Sequence, residues 1–315
     1  MNSVSDAFAG DVFDADVIAA FGRHLRVRDA RGVELRVRPS GRKLSIVCGD
    51  RVRCEVDRTH NEALAVEILP RRTLLARAST RGASEPVVAN ITQLVVVIAP
   101  LPAPDYFVVD RYLCAATDAG IAGTIAVNKS DLATNKVDAA QLEALAQAGY
   151  AHLACSARDG AGLDPLRAAL AGAVSVLVGQ SGVGKSSLVS ALLPAAVVET
   201  GELMREEEGR HTTTASRAYS LQGGGTLIDS PGVRDFAPAI DQLEPRTLGF
   251  PELTRLSPGC RFNDCRHMQE PGCAVITARD TGTLSARRYE SYRRMRRLYE
   301  DLVEARGPGS RKRRS

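Results

Sequence analysis

The sequence predicts a multidomain chain with an N-terminal β-barrel, a central α/β body of the doubly wound type and a C-terminal, mostly helical module. Three observations carry this. Short alternating segments broken by turn residues fill 20–70, as in Leu25-Arg26-Val27-Arg28, Val33 to Val37 and Val52 to Val56. From about 87 apolar runs alternate with alanine-rich helical pattern, and beyond about 240 strands fade while a cysteine–histidine cluster and an arginine-studded helix, 284–306, take over. A length of 315 residues suits two or three domains. The boundaries that follow are 1–19 for a flexible acidic leader, 20–85 for the barrel, 86–240 for the α/β domain, 241–306 for the helical module and 307–315 for a basic tail.

Among small antiparallel barrels, the five-stranded oligonucleotide-binding type, the OB-fold, fits the first segment. Charge supports contact with a polyanion. Residues 20–85 carry fifteen basic and eight acidic side chains, 285–315 carry eleven and four, and the middle carries fifteen and twenty-one. Two basic flanks therefore bracket a body of opposite sign. The first nineteen residues hold four aspartates and no cation, which excludes secretory and transit signals, and no apolar run approaches a membrane span. A cytoplasmic protein without membrane association is expected. Cys48, Cys54, Cys114 and Cys155 are scattered and read as buried thiols, whereas Cys260, Cys265 and Cys273 cluster.

In the α/β body, Gly179-Gln180-Ser181-Gly182-Val183-Gly184-Lys185-Ser186-Ser187 follows an apolar strand and opens a helical pattern that Pro194 ends, the context a phosphate-binding loop requires. Its glycines let N–H groups converge on phosphates, Lys185 reaches the β and γ phosphates, and the Ser186 hydroxyl suits Mg²⁺. Asp229-Ser230-Pro231-Gly232 follows the strand Thr226-Leu227-Ile228 and places a carboxylate near Mg²⁺ and the Gly232 N–H near the γ phosphate. Asn128-Lys129-Ser130-Asp131 reads the base, because the Asp131 carboxylate accepts from guanine N1–H and its 2-amino group together, a donor pair adenine lacks. Cys155-Ser156-Ala157 supplies a backbone N–H for guanine O6. These motifs make GTP with Mg²⁺ the expected ligand and disfavour an ATPase.

Their order is permuted: the base reader at 128 and Ser156-Ala157 precede the phosphate loop at 179, and Asp229 comes last. The sequence therefore reads as a circularly permuted GTPase domain, whose site survives if the old ends lay close together. Between phosphate loop and Asp229 lies Gly209-Arg210-His211-Thr212-Thr213-Thr214. Thr212 or Thr213 is expected on Mg²⁺, and 199–210 as a switch. Val233 stands where a water-orienting glutamine would be, so intrinsic hydrolysis is expected to be slow and His211 is the candidate for orienting the water.

Cys260, Cys265, His267 and Cys273 have the form Cx4CxHx5C. Three thiolates and one imidazole close a four-coordinate site, which is read as one structural Zn²⁺.

The barrel with Gly49-Asp50-Arg51-Val52, the permuted order NKSD, GQSGVGKSS, GRHTTT and DSPG, and the Cx4CxHx5C cluster together resemble the RsgA (YjeQ) family of bacterial ribosome-biogenesis GTPases, over roughly 20–295. The resemblance implies an OB-fold, a permuted GTPase domain and a zinc-binding helical domain. It also implies action in late maturation of the 30S ribosomal subunit, contact with 16S rRNA, and hydrolysis of GTP to GDP stimulated by that subunit, by a monomer. A closed switch would then bias the segment leaving Asp229 and reposition the zinc module relative to the barrel. The alternatives are a GTPase serving the large subunit or tRNA, and a non-catalytic RNA-binding module that uses GTP as a ligand.

Overall fold

The computed structural model describes residues 12–21, 24–41, 44–77, 84–132, 137–193, 216–230 and 237–305. Strands β1 (Val12–Phe21), β2 (His24–Asp29), β3 (Glu34–Pro39), β4 (Arg51–Asp57) and β5 (Glu62–Ile68) close a barrel in the order β1-β2-β3-β5-β4-β1. All pairs are antiparallel except β3 with β5. Period-two alternation turns Ala15, Val17, Leu25, Val27, Val37, Val52, Cys54, Ala63 and Ala65 inward to form its core.

The N-terminal boundary differs from the sequence expectation. Residues 12–19, assigned to a flexible leader, form most of β1, and Ala15, Val17 and Ala19 are buried at 3, 1 and 1% exposure. Asp14 stays at the surface, where its carboxylate pairs with Arg53 at 3.1 Å. Residues 1–11 and the basic tail lie outside the described residues.

A two-stranded hairpin, β6 (Leu74–Arg77) and β7 (Glu85–Ala89), leads into the central body. There β8 (Gln93–Ile98), β9 (Ala122–Val127), β10 (Ala151–Ala154), β11 (Val174–Val178) and β13 (Thr226–Asp229) are parallel, and β12 (Ser216–Ser220) runs antiparallel to β13. The order is β10-β9-β8-β11-β13-β12, and the outer edge of β12 pairs with β1 at Ala19 and Ala20, so barrel and body share one sheet. Each of the six β8 residues is buried because both faces are covered: Leu94, Val96 and Ile98 enter one core, Val95 and Val97 the other. Helices α1 (Tyr106–Asp118), α2 (Ala139–Ala148), α3 (Leu163–Leu170) and α4 (Lys185–Leu192) connect these strands.

The C-terminal module holds α5 (Pro251–Leu256), α6 (Ala274–Asp280) and α7 (Ala286–Ala305). Its core recruits Phe107, Cys114 and Ala115 from α1, so that helix belongs to two cores at once. Cys48, Cys54, Cys114 and Cys155 are all buried thiols, as their scatter suggested. No described helix is long and apolar enough to cross a membrane.

Candidate nucleotide site and metal centre

Parallel strands point their C-terminal ends to one edge, so the loops after β8, β9, β10, β11 and β13 converge there. The loop 179–184 runs from β11 into α4, whose N-cap Gly184 has φ +92° and no side-chain cap, leaving the helix N-terminus to backbone donors. Space as well as conformation demands glycine. A Cβ on Gly184 would lie 2.4 Å from the Asn128 amide nitrogen, and one on Gly179 would lie 2.2 Å from the Val97 carbonyl oxygen. Lys185 is buried, and its Nζ donates to the carbonyls of Gly179 at 2.6 Å and Gln180 at 2.8 Å, which centres the ammonium on the loop.

The base-reading residues dock on this loop. Asn128 Nδ2 donates to the Val183 carbonyl at 2.9 Å while its Oδ1 accepts the Ala157 N–H at 3.1 Å, so one side chain fastens the phosphate loop to the segment after β10. Lys129 adopts φ +61°, and its Nζ donates to Gly182 O at 2.7 Å and Leu101 O at 2.8 Å. Its stem thus lies along the rim of the site. Asp131 Oδ1 accepts the Ser156 hydroxyl at 2.8 Å, and Ser130 N–H donates to Cys155 O at 3.1 Å. The structure therefore gathers Asn128, Lys129, Ser130, Asp131, Ser156, Ala157 and the loop 179–187 at one edge of the sheet, although the bonded pair Asn128 and Val183 is 55 residues apart in the chain.

Asp229 ends β13, beside β11, and Ser230 bonds the Ser216 hydroxyl at 2.6 Å. The Ser186 hydroxyl and the Asp229 carboxylate are hard oxygen donors of the kind Mg²⁺ prefers. His211, Thr212, Thr213, Gly232 and the switch 199–210 lie outside the described residues.

The second cluster sits between α5 and α6. His267 Nδ1 is 3.5 Å from both Cys260 Sγ and Cys273 Sγ, those two sulfurs are 3.9 Å apart, and one ligand atom from each of Cys260, Cys265, His267 and Cys273 falls within 4.8 Å of the others. Tetrahedral bonding at ordinary zinc distances implies edges of about 3.8 Å between sulfurs and about 3.5 Å between sulfur and nitrogen. The donor set fits a metal. Burial, with Arg246 nearby, lowers the His267 pKa to about 4, keeping the imidazole neutral and able to ligate. Burial pushes the Cys265 thiol up to about 12, so a cation is needed to hold it as thiolate. Supporting contacts fix the turn: Tyr289 donates its hydroxyl to His267 O at 2.9 Å, and Glu270 accepts the N–H groups of Arg266, Met268 and Gln269 at 2.9, 2.8 and 3.0 Å.

Two further constellations carried no sequence signal. Arg288, 1% exposed, is clamped by Asp110 of α1 at 2.6 Å and by both oxygens of Glu252 of α5 at 2.7 and 2.9 Å, and Arg287 reaches the other Asp110 oxygen at 2.5 Å. Burial disfavours the Arg288 charge, but Asp110 and Glu252 outweigh it and raise its pKa. Nearer the nucleotide cleft, Gln180 Oε1 accepts the Asp105 N–H at 3.0 Å, and Asp105 caps α1 through Phe107 N–H at 2.9 Å. One helix thus touches the phosphate loop at its start and the C-terminal module along its flank.

Comparison with known proteins accords with this geometry. The sequence model of the RsgA GTPase family matches residues 68–238. The chain is similar to the Small ribosomal subunit biogenesis GTPase RsgA of Azotobacter vinelandii, 45% identical over 288 residues that cover 88% of this chain and 83% of that one. It is likewise similar to the protein of the same name from Pseudomonas aeruginosa strain LESB58, 43% identical over 284 residues with the same coverage. Among solved structures, YjeQ from Thermotoga maritima superposes with TM-score 0.70 at 27% identity, covering 93% of this chain and 99% of that one. YloQ, described as a circularly permuted GTPase, gives 0.69 at 25%, covering 92% and 96%.

Proposed function

The chain belongs to the RsgA GTPase family and is a GTP hydrolase, and on that premise we propose that it acts in maturation of the small ribosomal subunit, binding 16S rRNA and turning over GTP faster when the 30S subunit is bound. The observation that carries the reading is the hydrogen-bonded union of a guanine reader with a phosphate loop, Asn128 to Val183 and Lys129 to Gly182, in a permuted domain flanked by basic regions.

In this reading Asp131 selects guanine, Asn128 holds the Ser156-Ala157 segment beside the base, Lys185 and the N–H groups of 180–186 hold the phosphates, and Ser186, Asp229 and Thr212 or Thr213 orient Mg²⁺. Bound with GTP, Mg²⁺ neutralises charge that builds on the β and γ phosphates. His211 orients a water whose oxygen bonds to the γ phosphorus as the bond to the β–γ bridging oxygen breaks, giving GDP and phosphate. Cys260, Cys265, His267 and Cys273 hold one structural Zn²⁺. The protein works as a cytoplasmic monomer. Pro238, downstream of Asp229, forms a backbone bridge with Arg77 of β6 in the hairpin that follows the barrel, and this contact relays the nucleotide state to the barrel.

The test is GTP turnover with purified 30S subunits, 50S subunits and none, with ATP as competitor. Stimulation by 30S alone and no competition by ATP are expected. Stimulation by 50S, or no turnover in any arm, would overturn the assignment. Lys185→Ala should lose turnover by about 10²–10³-fold.

A further inference from the structure

Of the seven phenylalanines and seven tyrosines, all but Phe8 and Phe236 lie in described residues, and among these Phe262 alone is exposed, at 40%. A single apolar residue at a surface is ordinary. The setting of this one is not. Phe262 sits in the four-residue loop between ligands Cys260 and Cys265, so both ends of the loop are fixed to the metal cluster. The loop is pinned further by Arg261 N–H to Gly272 O at 3.0 Å and Cys265 N–H to Phe262 O at 3.3 Å. Gly272, at φ +72°, makes room for the Arg261 stem, because a Cβ there would stand 3.1 Å from the Arg261 Cβ. Residues 261–264 are all exposed, so the ring is presented on a rigid support.

Beside the ring lies a cation, Arg261. The Arg261 guanidinium carbon is 5.4 Å from the Phe262 ring centroid, and among the described residues no carboxylate pairs with Arg261. An apolar pocket on a protein would have to desolvate that charge without compensation. A nucleotide satisfies both groups: a base stacks on the ring and the adjoining phosphate pairs with the guanidinium. The same module ends in the basic stretch 285–315, which favours a polyanion over an acidic-neutral protein surface.

We propose that Arg261 and Phe262 form a stacking platform for one unpaired RNA nucleotide, with the base on the Phe262 ring and its phosphate at Arg261. The platform rests on the reading that the partner is the RNA-rich small subunit.

The test uses the full-length, metal-loaded protein with a non-hydrolysable GTP analogue and salt-washed 30S subunits, and measures equilibrium affinity over a series of KCl concentrations. Phe262→Ala should weaken binding by about 5- to 150-fold with the salt slope unchanged. Phe262→Leu should be as weak, since it keeps apolar bulk without a π face, and Phe262→Tyr should bind like the wild type. Arg261→Ala should reduce the salt slope by about 1. Equal metal content and equal subunit-free GTP turnover establish that the variants are folded. Undiminished binding by Phe262→Ala overturns the platform, and full binding by Phe262→Leu overturns it in favour of an apolar pocket on a protein. If the wild type itself fails to bind 30S, the functional reading falls and the platform with it; wild-type binding with an indifferent Phe262 removes the platform alone.

Discussion

Where the barrel meets the GTPase body the hydrogen bonds run chiefly to and from the main chain. Ala19 and Ala20 pair with Arg217 and Ser216, Ala89 N–H donates to Cys48 O at 3.1 Å, and the Asn90 amide reaches Gly49 O at 2.8 Å. Where the C-terminal module meets the same body, side chains make the join: Asp110 grips Arg287 and Arg288, and Phe107, Cys114 and Ala115 enter the module's core. A main-chain junction depends little on residue type except where backbones touch, and it can lengthen or shorten by a residue pair. A buried ionic junction is intolerant, because removing one partner strands the other charge in a low-dielectric interior. Nucleotide-driven rearrangement is accordingly expected at the barrel junction, with body and C-terminal module moving as one unit.

The largest effect that can break this contrast is metal removal. Structural zinc in small modules carries about 10–16 kcal/mol, so chelation should abolish hydrogen-exchange protection in 257–305 and expose the flank of α1, while 12–68 keep theirs. Loss of protection in the barrel at the same chelator concentration would show that the two junctions are not independent.

That independence could be read from the sequence only in part. The nucleotide and metal motifs are local, with ligands fixed by spacing, so GQSGVGKSS, NKSD and Cx4CxHx5C were legible, and the cysteines and histidine converge as their spacing implies. The Arg288 clamp was not, because Asp110 lies 178 residues away and nothing in an arginine-rich helix marks which arginine is buried. The first strand was obscured for a different reason. Asp14 and Asp16 gave 1–19 the composition of a leader, while Ala15, Val17 and Ala19 carried the inward alternation of a strand. Small residues and a register shift between Val17 and Ala19 blunted that period. Gly49 and Asp50 belong to a sequence motif, but their task is defined only in three dimensions: the Asp50 carboxylate takes two bonds from Arg71, at 2.7 and 2.8 Å, and Gly49 lets the loop approach Ala89.

Next in size is Asp110→Ala, which leaves Arg287 and Arg288 facing one another without their shared carboxylate and should cost about 3–5 kcal/mol. Denaturant unfolding followed by probes in α7 and in the barrel should show α7 lost at lower denaturant than the barrel. A shift below about 1 kcal/mol would mean that the join is chiefly hydrophobic.

Gly49→Ala sharpens the other side. The added Cβ would fall 2.0 Å from the Ala89 carbonyl oxygen at φ +89°, and the backbone strain alone is about 1–3 kcal/mol. Its effect should be confined to barrel protection, with subunit-free GTP turnover retained. Reduced turnover equal to the loss of barrel protection would show that the junction supports the nucleotide cleft directly.

The smallest expected effect belongs to Glu270. Burial works against its carboxylate, but the N–H groups of Arg266, Gln269 and Met268 outweigh that and bring its pKa from 4.5 down to about 2. Its contribution is therefore complete above pH 4.5 and is lost as pH falls through about 2. Glu270→Gln, which leaves a single acceptor for three donors, should destabilise the module by about 1 kcal/mol at neutral pH. It should also flatten the acid limb of its stability curve, which thermal unfolding between pH 5 and 3 would reveal. An unchanged acid limb would assign that limb to other carboxylates.

Strand β1 has one more consequence, for solubility. It closes the barrel against β2 and β4, and through Ala19 and Ala20 it also covers the outer side of β12, the last strand of the central sheet. A sheet margin with unpaired N–H and C=O groups is a template for another chain. Deleting residues up to Phe21 would therefore open the barrel along β2 and β4 and uncover β12 in one stroke, turning a trimmed N-terminus into three adhesive margins and a protein that self-associates through strands.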